Sequence, residues 1–96
     1  MNPARGEVVA DLAGAPRRLC LTLGALAEME GALGVQGIEA LAGRMRALSA
    51  GDLAGVLEAL MRGGGGDEAT APRLARAAEP KAAAEAVARA FEAAAG

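Results

Sequence analysis

The sequence predicts an α+β fold: an N-terminal β-hairpin packed on a small helical bundle, with an alanine-rich helix at the C-terminal end. Three features of the 96 residues carry that expectation. Residues 7–23 alternate apolar and polar with period two, and residues 23–61 repeat apolar side chains at spacings of three and four. Beyond the four consecutive glycines Gly63 to Gly66, the chain is dominated by alanine.

Taken in order, Val8, Ala10 and Leu12 fall on one face of an extended segment. After Gly14-Ala15-Pro16, Leu19, Leu21 and Leu23 share one face while Arg18, Cys20 and Thr22 share the other. Alternation on both sides of a glycine-containing turn predicts a hairpin. Pro16 lacks a ladder donor, which places it at a strand start or on an edge. Leu23, Leu26, Met29, Glu30 and Leu33 then follow helical spacing, with Thr22 as N-cap and Gly34 as the stop. Val35, Ile38, Leu41, Met45 and Leu48 form the stripe of a second helix. Ser49-Ala50-Gly51-Asp52 resembles a capping box, and it opens a third helix along Leu53, Val56, Leu57, Leu60 and Met61.

Gly63 to Gly66 cannot readily continue a helix, and we expect a flexible linker there. A phosphate-cradling loop would need Lys and then Ser or Thr, whereas Asp67-Glu68 follow. Thr70 and Pro72 start a short helix covering Arg73 to Ala78. Residues 80–95 form a final helix supported by the pairs Glu85–Arg89 and Arg89–Glu92. The expected organisation is a hairpin plus three-helix core over 1–62, a linker over 63–69 and an alanine-rich helical tail over 70–96.

Composition excludes several functions. The 53% hydrophobic content includes 27 alanines, which leaves 23 larger apolar side chains to supply most of the core energy. With no His, histidine-based catalysis and histidine metal ligation are excluded. A single Cys excludes an internal disulfide and any CxxC site. One Phe and no Trp or Tyr leave no base-stacking platform, and a net charge of -2 argues against a nucleic-acid partner. Arg17-Arg18 before the apolar run 19–27 imitates a short signal peptide, but Glu7, Asp11 and the strand-like alternation oppose that reading. The run is also too short to span a membrane. The expectation is a cytoplasmic protein with no cofactor, no metal, no membrane contact and no enzymatic activity.

The candidate residues are few. Glu28 with Glu30, and Asp67 with Glu68, are carboxylate neighbours, better read as solvated charge or helix N-terminal acids than as a catalytic pair. Arg44 and Arg46 complement a helix C-terminus. Arg17 and Arg18 serve as edge-strand charges, or touch an acidic partner. Cys20 is expected to be half-buried and unreactive. In the last helix Ala83 or Ala84, Val87, Phe91 and Ala94 form a thin stripe. It belongs to a surface helix, or to a docking helix in which Val87 and Phe91 are the partner-binding anchors.

Several segments resemble a known family. The run Arg5-Gly6-Glu7-Val8, then Leu19-Cys20-Leu21-Thr22-Leu23-Gly24-Ala25-Leu26-Ala27-Glu28-Met29-Glu30 and Ala32-Leu33-Gly34, is similar to the small tail proteins of gene transfer agents, the phage-like particles of many alphaproteobacteria. Leu48-Ser49-Ala50-Gly51-Asp52-Leu53, Gly63 to Gly66 and Ala86-Val87-Ala88-Arg89-Ala90-Phe91 extend the resemblance over almost the whole chain. It implies a non-enzymatic tail role and carries over no active-site residue. Such proteins are labelled phage tail tube proteins and also grouped with tail assembly chaperones. A tube subunit is expected to be β-rich, and two strands with at least three helices are too little β for a ring. The chaperone role, binding a tape-measure protein, is therefore the favoured expectation. A structural tail (tube) component and a general cytoplasmic interaction module are the alternatives. The implied partners are other tail proteins, incorporation into particles remains open, and so does a homo-oligomer.

Overall fold

Alternation in residues 7–20 produces two antiparallel strands, β1 (Glu7–Leu12) and β2 (Ala15–Cys20), in the computed structural model, which describes residues 6–95. The ends of the expected core and tail, residues 1–5 and Gly96, lie outside the described residues. Val8 faces Leu19, Ala10 faces Arg17, and Leu12 faces Ala15. The two turn residues, Ala13 and Gly14, have φ of 52° and 84°. Positive φ at both positions gives the turn whose twist matches the flanking strands. Alanine is strained there, and Arg17 clamps the turn by donating from Nε to the Leu12 carbonyl and from Nη2 to the Ala13 carbonyl, each at 3.0 Å. Leu12 and Ala15 close the turn, so the Asp11–Pro16 pair is a non-hydrogen-bonded one, and the missing proline donor costs no ladder bond.

Three helices follow: α1 (Leu23–Leu33), α2 (Ile38–Met45) and α3 (Ala50–Gly63). Thr22 Oγ1 accepts from the Ala25 amide at 3.0 Å, and Gly34 ends α1 in the left-handed conformation, as expected. Ser49 Oγ accepts from the Asp52 amide at 3.1 Å, but the Asp52 carboxylate turns to Arg44, so only half of the capping box forms. Met29 and Leu33 of α1 and Val56, Leu57, Leu60 and Met61 of α3 are buried as their spacing predicts. Two expected core residues are not. Leu23 is 83% exposed, because the strand ends at Cys20 and Leu23 opens α1 on its outer side. Ile38 is 70% exposed, because α2 is shorter than the apolar stripe over 35–48 and buries only Leu41.

The glycine run is not slack chain. Gly63 is the last residue of α3, and a Cβ there would lie well inside 3.0 Å of the Cys20 carbonyl oxygen. A Cβ on Gly64 would overlap the Arg18 carbonyl in the same way. Only glycine lets the end of α3 approach β2 this closely. Asp67 then organises the next turn: its carboxylate accepts from the Ala69 amide at 2.9 Å, and its carbonyl accepts from the Thr70 and Ala71 amides. This leads into α4 (Ala71–Ala77), where Pro72 sits in the first turn and the Thr70 side chain makes no cap.

The last helix, α5 (Pro80–Ala95), spans the residues its composition predicts. Instead of standing apart, it lies across β1 and α3 and buries Ala83, Ala86, Val87 and Ala90. Ala71 and Ala75 of α4 join the same core. The alanines therefore build close helix packing, with small side chains letting backbones approach, in addition to helix propensity. The radius of gyration, 11.8 Å, matches the roughly 12 Å of a closed chain of this size.

Candidate functional site

The expected carboxylate pairs separate into structural contacts. Glu28 pairs with Arg62, which also binds Glu58 at 2.5 Å. Burial works against the Arg62 charge, but hydrogen bonds from its guanidinium to Glu58 and Glu28 outweigh it and hold its pKa above the ordinary value. Glu30 accepts the Gly37 amide at 2.7 Å. Asp67 is occupied by its own turn, and Glu68 is exposed. Among the described residues no cluster of three or more metal-ligating side chains occurs.

The glycine run offers no phosphate cradle. The Gly64, Gly65 and Gly66 amides donate to the carbonyls of Leu60, Arg62 and Met61 at 3.0, 3.0 and 2.9 Å, which leaves none pointing at a ligand. The adjoining pocket of about 320 Å³, lined by Arg17, Arg18, Asp67 and Thr70, is therefore a surface recess beside a helix end. Cys20 is buried instead of half-buried. Burial first, and the Glu7 charge second, push its thiol pKa up, away from the thiolate that chemistry would need.

A large apolar opening lies between α2 and α5, a groove of about 670 Å³. Its α2 wall carries Ile38, Ala42 and Met45. Its α5 wall carries Ala84, Val87, Ala88, Phe91, Ala94 and Ala95. Leu21, Leu26, Leu48 and Leu53 form the base with Leu41. The two residues singled out on the last helix both reach this groove, but differently. Val87 is 4% exposed and belongs to the core, with an edge on the groove, while Phe91 is half-buried in its wall. Sequence reasoning placed Ile38, Met45, Leu26 and Leu21 in the core and so missed their part in the opening. The available signal was the pair of glycines at 34 and 37, which delay the start of the second helix to Ile38.

Large apolar side chains gathered in an open groove mark a surface for a macromolecular partner more readily than a catalytic cleft. Both outer edges of the hairpin, by contrast, are contacted by other elements of the chain. Arg89 of α5 donates to the Val9 carbonyl on the β1 edge at 3.0 Å, and Gly63 and Gly64 at the end of α3 press on the Cys20 and Arg18 carbonyls of β2. No helix is long and apolar enough to cross a membrane among the described residues.

Comparison with known proteins agrees with this picture at the level of family. Residues 5–95 match the family described as phage tail tube protein, GTA-gp10. No curated protein and no solved structure matches the chain. With almost its whole length matched, and with a fold whose apolar opening suits a protein partner, the chain belongs to this family of gene transfer agent and phage tail proteins.

Proposed function

We propose that the chain is a tail assembly chaperone, which holds an apolar helical segment of the tape-measure protein in the α2–α5 groove. The observation that supports this most is the division of its surface. Each of the two strand edges through which a tube subunit would join its neighbours is engaged within the chain, by Arg89 of α5 and by the end of α3, while the open apolar surface is lined mainly by helices. A groove of this form accepts the apolar stripe of an amphipathic helix, with anchors at spacings of three and four. Each contact is modest, so many copies can coat a long helical protein and be displaced when the tube forms. The chain then acts without chemistry and without a cofactor, in the cytoplasm of the particle-producing cell.

Co-expression with the tape-measure protein of the same particle is the test. The chain should keep that protein soluble and co-purify with it, and Ala88→Arg in the groove wall should abolish the capture. The family's description favours a second reading, a structural tube subunit. Polymerisation of the purified chain into tubes would establish that role and exclude the chaperone.

A further inference from the structure

One wall of the groove is held differently from the others. Of the eight residues of α2, only Leu41 is buried, whereas α5 buries four and α3 five. Packing of α2 on the rest of the molecule is mainly against α1. What fastens it is polar and partly exposed. Arg44 donates from Nη1 to the Leu33 carbonyl at the end of α1 at 2.8 Å, and from Nη2 to Asp52 in the first turn of α3 at 2.5 Å. Glu30 holds the Gly37 amide from outside.

The connection to α1 is bracketed by two glycines in conformations that other residues rarely adopt. Gly34 has φ 70°, and Gly37 has φ 90° with ψ 156°. At its far end α2 loosens into a turn in which the Arg46 and Ala47 amides reach carbonyls only three residues back. We infer that α2 is a hinged wall of the groove, latched by Arg44 and swinging on the Gly34–Gly37 segment to widen the opening for an incoming helix. This rests on the groove being the binding surface proposed above. Solvent-screened polar ties, one buried leucine and the half-buried Met45 make α2 open at lower free energy than the body of the fold. Ile38 and Met45 travel with it, so opening exposes apolar surface on the wall itself.

Hydrogen exchange followed by mass spectrometry on the full chain, with bis-ANS as an apolar probe, tests this without the tape-measure protein. In the wild type the amides of 38–45 should exchange faster than those of 53–62 and 83–91. Arg44→Ala should speed exchange in 38–45 by a further factor on the order of ten while leaving 53–62 unchanged. Bis-ANS binding should strengthen with it, and Ala88→Arg should block that gain. Asp52→Ala removes the α3 end of the latch while keeping the Ser49 hydroxyl and the Arg44–Leu33 bond, so it should speed exchange in 38–45 in the same direction, by a smaller factor, if Arg44→Ala disturbs folding. Protection of 38–45 equal to that of α3 in the wild type overturns the inference. So does a uniform rise in exchange across all helices in both variants, or bis-ANS binding that ignores the latch. Failure of tape-measure capture with the hinge intact refutes the proposed function alone.

Discussion

Adding one methyl group to the glycine run separates a spacer from a packed contact, because the two make opposite predictions. In a spacer, Gly63→Ala and Gly64→Ala remove unfolded-state freedom, and at Gly63 they improve helix propensity, which stabilises by about 0.4–1 kcal/mol. In this structure the new Cβ atoms would overlap the backbone carbonyls of Cys20 and Arg18. A backbone carbonyl has no rotamer to relieve the collision, so the end of α3 must shift off β2. Overpacking of this kind costs about 1–3 kcal/mol. For a chain of this size that is a fall in Tm of roughly 5–20 °C. Gly65→Ala is the control: its φ is 91° but nothing lies within 4 Å, so it carries only the left-handed strain, about 1 kcal/mol. Urea unfolding followed by far-UV circular dichroism suits a chain without tryptophan or tyrosine. Wild-type or higher stability in Gly63→Ala and Gly64→Ala would refute the close approach.

Three further outcomes are expected. Ser49→Ala removes the hydroxyl that caps α3 and should cost about 1 kcal/mol in the same urea assay. Cys20 should resist alkylation in the native protein and react quickly in urea. Its pKa is raised by folding, so the stability tied to the neutral thiol is full below the unfolded value, about 8.5, and falls as pH rises through it toward the folded value. Ile38→Asp should change stability by less than about 0.5 kcal/mol and weaken tape-measure capture. Val87→Asp should instead destabilise by several kcal/mol by burying a charge in the core, as thermal melts will show.

The hairpin and the starts of α1 and α3 were legible because they depend on neighbours in sequence: alternation for the strands, Thr22 and Ser49 for the caps, Gly34 for the stop. The contact at Gly63 and Gly64 was not. A missing side chain is visible in a sequence, but what occupies the space it leaves depends on a strand more than forty residues away. Alanine hid the packing of α5 for a related reason. Its methyl carries little hydrophobic weight, so periodicity cannot tell an alanine that admits a close backbone from one that faces water. Ile38 and Met45 show the converse, since helical spacing marked them as one face without revealing that this face opens on a groove. Val87 and Phe91 stand out in the sequence because they are the only large apolar residues on the last helix, and the structure divides them between core and groove wall.

The chaperone and tube readings part most sharply over what remains in the finished particle. Quantitative mass spectrometry should therefore compare tape-measure complexes captured from particle-producing cells with purified mature particles. The account predicts many copies of this chain per tape-measure protein in the captured complexes and essentially none in the mature tails. Retention in mature tails at a whole-number ratio to the other tube proteins would contradict it.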